Sequence, residues 1–270
     1  MTTNSDAYSP REIASRVRDA GVAKARSDAL SVLVLAVLAG AFISLGALFF
    51  TVVMTGASSG FGVNRLIGGV AFSMGLIMVL VGGGELFTGN NLVAMAWASR
   101  LITTRELLRN WALAYIGNVI GALGTVTVVW AGGVDRFSGG TVGQTAMAIG
   151  AAKSDLSVGR AVALGIMCNA LVCMGVWLAM GGRTVVDRFV AVILPIAAFI
   201  TIGFEHSIAN WFFLPYAVAL DGLKDGSLIT GSLVNLAAVT VGNVIGGTLL
   251  VAAVYWLAYL RKGAQTTPAA

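Results

Sequence analysis

The chain has 270 residues, of which 57% are hydrophobic and only 11% are charged, and its formal net charge is +5. A soluble globular protein is about 25% charged, so this composition excludes a water-facing globule and indicates an all-α polytopic membrane protein in contact with the lipid bilayer. The basic residues are spread over loops rather than gathered in one stripe, which argues against nucleic acid as a partner.

The first 27 residues are predicted to form a cytoplasmic N-terminal segment and not a signal peptide, because they contain no apolar core. Within this segment, residues 9–24 place Ile13, Val17 and Val22 among several arginines. That alternation is typical of an amphipathic helix lying on the membrane surface.

Six apolar segments follow, and a spanning helix needs roughly 20 apolar residues. They cover residues 30–54, 66–98, 107–130, 161–180, 189–218 and 228–260. We therefore expect a channel domain over residues 28–261 and a cytoplasmic tail over 262–270. The second and fifth segments exceed one crossing and are interrupted by G-G-G-E (82–85) and G-F-E-H (203–206). Broken helices occur at membrane depth only where they line a cavity or are buried in protein.

Most lysines and arginines between and beyond these segments fall on the side that holds both termini. The positive-inside rule then places the N- and C-termini in the cytoplasm. We expect a multi-pass protein of the inner (plasma) membrane.

An internal repeat divides the spanning region. G-N-V-I-G occurs at 117–121 and 242–246, E-x4-N occurs at 85–90 and 205–210, and Lys24 and Lys153 precede similar segments. These three matches fall in the same order, so residues 28–131 and 154–261 are two copies of one three-helix unit. An odd number of helices inverts the second copy, and inverted repeats place a site near the midplane, at the broken helices.

The motifs G-E-L-F-T-G-N (84–90), G-F-E-H-S-I-A-N (203–210) and the two G-N-V-I-G copies resemble the formate/nitrite transporter family. The resemblance runs from about residue 20 to residue 260. It implies a homopentamer of six-helix protomers with an aquaporin-like fold. Each protomer would have its own pore for small monovalent anions or their acids, without a cofactor.

His206 is the only histidine, which makes a protein metal site unexpected. A lone histidine is often structural, but an ionisable group inside the membrane indicates function. The resemblance matches His206 to the family's pore histidine and Thr88 to its pore threonine. Two roles for His206 stay open: hydrogen-bond donor to a passing anion, or proton donor that makes the neutral acid.

Glu85 and Glu205 lie at the two breaks, where bare carboxylates would repel an anion. We interpret them as anchors that accept from backbone N–H groups freed at each break, with direct proton transfer as the alternative. By resemblance, Asn243 and Asn169 face the pore; hydrogen bonding between helices is the alternative. We interpret Asn118 as structural.

Lys24 and Lys153 match family lysines that lend each vestibule a positive potential, and a cationic funnel would concentrate anions. The alternative is a lysine that only reaches towards the membrane surface. The resemblance also implies two apolar constrictions on either side of His206, formed by Phe72, Leu76, Leu86, Phe87 and Phe199. A dry ring opposes an ion far more than a neutral acid.

The leading hypothesis is therefore passive or proton-coupled passage of formate, with His206 as the residue that would couple the proton. Nitrite, hydrosulfide and short carboxylates are alternatives within the family. A water- or glycerol-type channel is an alternative of another class, although the sequence has no N-P-A pair. The sequence shows no nucleotide-binding loop, metal-ligand cluster or catalytic triad, so we do not expect an enzyme.

Overall fold

The computed structural model describes residues 7–261, and all regular structure in that range is helical. The predicted tail, 262–270, and the first six residues of the N-terminal segment lie outside this range. Six helices are long and apolar enough to cross a membrane: Ala29–Met54, Phe61–Gly82, Thr104–Ala131, Val158–Gly181, Val185–Ile202 and Gly226–Tyr259. The predicted all-α polytopic fold is confirmed.

The first half of the chain forms six helices. They are α1 (Pro10–Arg26), α2 (Ala29–Met54), α3 (Phe61–Gly82), α4 (Phe87–Asn90), α5 (Ala94–Ala98) and α6 (Thr104–Ala131). A short 3-10 turn, Asn91–Val93, joins α4 to α5. The second predicted span therefore consists of α3, an interruption, and the α4–α5 segment.

The second half repeats this order. Its helices are α7 (Thr141–Ser154), α8 (Val158–Gly181), α9 (Val185–Ile202), α10 (Ser207–Asp221), α11 (Gly226–Ile245) and α12 (Val254–Tyr259). A π-helical stretch, Gly246–Ala253, links α11 to α12 within the last span. Helix α7 was not predicted from the sequence. It packs on α10 and α11 and holds Lys153 as α1 holds Lys24.

Helix α1 starts one residue later than expected and is packed differently. Ser9 is its N-cap and exchanges hydrogen bonds with Glu12, and these bonds lower the pKa of the Glu12 carboxyl. The apolar face expected on the membrane surface is instead buried in the protein. Ile13 and Val17 pack in one cluster with Met95 and Trp177, because α5 and α8 offer an apolar surface next to α1.

The two interruptions have the same backbone course. Helix α3 ends at Gly83 with φ +90° and helix α9 ends at Gly203 with φ +92°. This left-handed conformation is the common helix terminator and favours glycine. Three residues without helical structure follow each glycine before the next helix starts at Phe87 or Ser207. The predicted breaks in the second and fifth spans are confirmed.

The G-N-V-I-G motifs sit where helices make their closest approach. A Cβ at Gly121 of α6 would overlap the Val37 carbonyl oxygen of α2, and a Cβ at Gly246 would overlap the Ile166 carbonyl oxygen of α8. Each motif therefore lets the last helix of its half lie against the first spanning helix of that half. This contact brings the asparagine inside each motif to the helix break.

We expect Gly121→Val to destabilise the protein by more than about 1–3 kcal/mol, the usual effect of overpacking, because the side chain must displace backbone. The matched control is Gly124→Val in the same helix, where an added Cβ meets nothing within 4 Å. Thermal unfolding in detergent should show a lower midpoint for Gly121→Val and little change for Gly124→Val. Equal midpoints for the two variants would show that α2 and α6 can move apart without loss of stability.

Candidate pore and the two helix breaks

Asn118 of α6 satisfies the backbone at the first break. Its Nδ2 donates to the carbonyl oxygens of Ala36, 2.7 Å away, and Glu85, 2.9 Å away. Its Oδ1 accepts from the N–H of Phe87 at 2.8 Å. One fully buried amide thus supplies the partners that the interrupted helix lacks, as expected from its interpretation as a structural residue.

Asn243 of α11 makes the same three contacts at the second break. Its Nδ2 donates to the carbonyl oxygens of Gly165 (2.8 Å) and Glu205 (3.0 Å), and its Oδ1 accepts from the N–H of Ser207 at 2.8 Å. Both polar atoms of the amide are engaged with backbone. The local role of Asn243 therefore matches that of Asn118, although the sequence reading had separated them.

Asn169 of α8 connects the two breaks. Its Nδ2 contacts the Thr88 carbonyl oxygen (3.2 Å), Asn91 Oδ1 (2.8 Å) and the Asn243 carbonyl oxygen (2.7 Å). Its Oδ1 is buried and has no hydrogen-bond partner within residues 7–261. The side chain that carries this unpaired oxygen bonds the carbonyl oxygens of Thr88 and Asn243. Asn243 in turn bonds the backbone on both sides of His206.

A closed ring of polar side chains ties α1 to the first break. The Nζ of Lys24 lies 2.7 Å from Glu85 Oε1, and the Nδ2 of Asn90 donates to Glu85 Oε2 at 2.6 Å. The same Nδ2 donates to Asn110 Oδ1 at 3.1 Å, and the Nδ2 of Asn110 donates to the Lys24 carbonyl oxygen at 3.2 Å, which closes the ring. The ring joins α1, the break, α4 and α6.

The second half contains the same ring. Lys153 Nζ lies 2.8 Å from Glu205 Oε1, and Asn210 Nδ2 donates to Glu205 Oε2 at 2.7 Å. Asn210 then contacts Asn235 Oδ1 at 2.8 Å, and Asn235 Nδ2 donates to the Lys153 carbonyl oxygen at 2.9 Å. The sequence identified Asn90 and Asn210 only as repeat positions. Asn110 and Asn235 each lie about two helical turns before the asparagine of a G-N-V-I-G motif, and this matched spacing was the available signal for a shared role.

These rings correct two details of the sequence interpretation. Glu85 and Glu205 bind a lysine ammonium and an asparagine amide, not the backbone N–H groups of the breaks. The N–H groups that begin α4 and α10 are taken by Asn118 and Asn243 instead. The charges of Lys24 and Lys153 are also offset by adjacent carboxylates, so neither lysine provides the free positive potential predicted for its vestibule.

His206 and Thr88 meet between the two breaks. The Nε2 of His206 lies 3.0 Å from Thr88 Oγ1, and both side chains are buried. The Nδ1 of His206 accepts from the N–H of Ala209 at 3.0 Å and caps α10. An acceptor at Nδ1 assigns the proton of the neutral ring to Nε2. His206 therefore donates to the Thr88 oxygen, which leaves the Thr88 hydroxyl hydrogen free for another acceptor.

Apolar side chains surround this pair. The rings of Phe199 and His206 stack with centroids 5.9 Å apart, and Phe72 packs edge-on against Phe199 at 5.6 Å. Leu76 and Leu86 line the cavity on the Lys24 side. Phe87, the fifth predicted constriction residue, packs its ring on Tyr115 at 4.9 Å. The structure thus places Phe199 next to His206, and Phe72 behind Phe199.

A cavity opens towards each break. The Lys24 cavity has a volume of about 260 Å³ and reaches Glu85 and Leu86. The Lys153 cavity has a volume of about 440 Å³ and reaches Gly203 and Glu205. The buried histidine–threonine pair lies at the breaks that these cavities approach.

Two inverted halves with broken helices at a central polar pair define a membrane channel or transporter. A family model described as Formate/nitrite transporter matches residues 11–257. The chain belongs to that family.

Similar proteins span nearly the same length. The formate channel FocA of Escherichia coli strain K12 is 37% identical over 274 residues, which cover 95% of this chain and 96% of FocA. A solved structure described as a pentameric formate channel with formate bound superposes with a TM-score of 0.76 at 38% identity, covering 86% of this chain and 98% of that one. An FNT family ion channel gives a TM-score of 0.80 at 25% identity, covering 92% and 98%.

We expect Asn118→Ala and Asn243→Ala to lower the thermal midpoint to a similar extent. Each change leaves backbone groups unpaired at a break, at about 1–3 kcal/mol for each group. Unfolding in detergent should be compared with transport of the same preparations. If Asn243→Ala lost transport while keeping the wild-type midpoint, Asn243 would serve the pore and not the fold.

Proposed function

We propose that this chain is a channel for small monovalent anions of weak acids, with formate as the main substrate, and that it carries the anion together with a proton. The observation that supports this most is the buried contact between His206 Nε2 and Thr88 Oγ1 at 3.0 Å. The similarity to FocA over 95% of the chain favours formate over other weak-acid anions.

The surroundings of this pair favour transfer of a neutral acid. A bare anion next to Phe72 and Phe199 would lose hydration worth several kcal/mol. A neutral hydrogen bond from the Thr88 hydroxyl returns about 0.5–1.5 kcal/mol, which is too little. A proton on the anion, or on His206, makes up the difference.

The N-cap contact of His206 must break before His206 can take up a second proton and become charged. The imidazolium has N–H groups on both nitrogens, so Nδ1 can take a proton only if it releases the N–H of Ala209. In this proposal an arriving anion stabilises that charged, uncapped state. The proton then passes from Nε2 through the Thr88 hydroxyl to the anion, which leaves as the acid. His206 is then neutral with its proton on Nδ1. It returns to the form in which Nδ1 accepts from Ala209 after Nδ1 loses that proton to water and Nε2 takes up another.

The repeat argues that His206 is there for function. Leu86 occupies the matching position at the first break and makes no side-chain cap. The break therefore does not require a histidine for its structure.

We expect His206→Asn to turn proton-coupled flux into slower, electrogenic anion conduction. Asparagine is a favoured N-cap, so α10 stays capped, but the amide does not ionise near neutral pH and cannot give a proton to the anion. Proteoliposome uptake of labelled formate should speed up in wild type as external pH falls from about 7 to about 5, because the arriving anion draws its proton from the external solution, and lose this dependence in His206→Asn. Unchanged pH dependence and unchanged charge per formate would contradict proton transfer by His206.

Three companion measurements complete this test. Thr88→Val removes the hydroxyl at nearly constant shape and should reduce uptake about 100-fold or more, in the range of one lost proton-transfer group, whereas Thr88→Ser should keep it. Labelled nitrite in the same liposomes compares the alternative anion. Glycerol swelling tests the neutral-solute channel, which would be supported if glycerol entered and neither anion did.

We further propose a homopentamer in the inner membrane with both termini in the cytoplasm. The pentameric formate channel that superposes on this chain supports the assembly, and the distribution of basic residues supports the orientation.

Native mass spectrometry in mild detergent should detect five copies of the chain. The expected reason is a stable interface between the broad apolar helix faces of neighbouring copies. A species that remained monomeric at every concentration would contradict the pentamer.

A further inference from the structure

The two cavities differ in charge. In the Lys24 cavity the charged lining residues are Lys24 and Glu85, which form one ion pair. The Lys153 cavity is lined by the pair Lys153–Glu205 and also by Arg65 and Arg160. The first mouth is therefore neutral, whereas the second carries two positive charges in excess.

Arg65 reaches the second break from the first turns of α3. Its Nε donates to the Thr201 carbonyl oxygen at 3.4 Å, and its Nη2 donates to the Ile200 carbonyl oxygen, at the C-terminal end of α9. Its Nη2 also lies 3.3 Å from the position that a Cβ on Gly203 would occupy. The guanidinium therefore covers the partial negative charge of a helix terminus that would otherwise face an entering anion.

Arg65 keeps donors available after these contacts. A guanidinium has five N–H donors, and within residues 7–261 its Nη1 makes no hydrogen bond and no carboxylate lies within ion-pair distance. Arg160, in the first turn of α8, is exposed and also makes no ion pair within the described part of the chain. Both arginines thus place a guanidinium without a directly paired carboxylate at the lining of one cavity.

We propose that Arg65 and Arg160 form a capture site for small monoanions at the Lys153 mouth, and that this site makes the Lys153 mouth the more efficient entrance to the channel. The inference rests on the proposed function, because it assigns the first contact of the transported anion. A focused positive potential raises the rate of anion entry and weakens with salt. Planar guanidinium donors also match the two oxygens of a carboxylate.

The test needs channels of one orientation. Ser58 is exposed in the loop between α2 and α3, on the same side as the start of α3, and both native cysteines are buried. Ser58→Cys can therefore be biotinylated with an impermeant maleimide. Streptavidin then captures the liposomes whose Lys153 mouth faces outwards, and the flow-through contains the opposite orientation.

Labelled formate uptake is then measured against external concentration at ionic strengths of about 0.01 M and about 0.3 M, where the Debye length falls from about 30 Å to below 8 Å. In captured liposomes at low salt, Arg65→Gln and Arg160→Gln should each raise the half-saturating concentration about threefold, the attraction of one unit charge about 7 Å away through solvent. The double variant should raise it about tenfold, with the maximal rate unchanged. At high salt the differences should fall below about twofold.

Control variants separate charge from folding. Arg65→Lys keeps the charge and should stay near wild type. Lys224→Gln removes an exposed cation that does not line the cavity and should have no effect. In the flow-through, where formate enters at the Lys24 mouth, all variants should match wild type.

Two outcomes would overturn the capture site while leaving the proposed function intact. One is a wild-type half-saturating concentration in the double variant at low salt. The other is an equal change in both orientations. A wild-type protein that carries neither formate nor nitrite would instead overturn the proposed function itself, and this inference with it.

Discussion

The structure depends on satisfying backbone polar groups at two helix breaks inside an apolar bundle. An unpaired backbone group there costs about 1–3 kcal/mol, and each break frees several such groups. Asn118 and Asn243 supply the partners, each with one amide that donates twice and accepts once. Those amides reach the breaks only because glycines one turn away let the helices touch. The G-N-V-I-G motif thus combines glycines that let two helices touch with an asparagine that pairs the backbone groups of the break.

The lysine–glutamate–asparagine rings connect each break to further helices. A buried carboxylate is stable only with a close partner and further hydrogen bonds, and Glu85 and Glu205 each have both. The partner lysines come from α1 and α7, so helices outside the main spans become part of the framework of the breaks. This explains why α1 packs on the protein and not only on lipid.

The spans and breaks could be predicted from the sequence, but the side-chain contacts at the breaks could not. Six spans, two breaks and the inverted repeat followed from apolar length, glycine runs and matched motifs. The partners of Glu85 and Glu205 did not, because lysines 61 and 52 residues away come close only after folding. Helix α7 escaped notice since its sequence has neither a long apolar run nor a clear amphipathic pattern. Arg65 gave no signal at all, because its importance comes from lying beside Gly203 of another helix.

The departures from symmetry fall on the central polar pair and not on the framework of the breaks. At the two breaks the glutamates and asparagines are identical in both halves, but His206 corresponds to Leu86, and Thr88 corresponds to Ile208. The framework tolerates an apolar residue at each of these positions, so folding does not require the polar one. His206 and Thr88 come from opposite halves and meet only when the halves dock. The fold therefore provides a symmetric enclosure, and the hydrogen bond at its centre, between His206 and Thr88, has no counterpart elsewhere in the repeat.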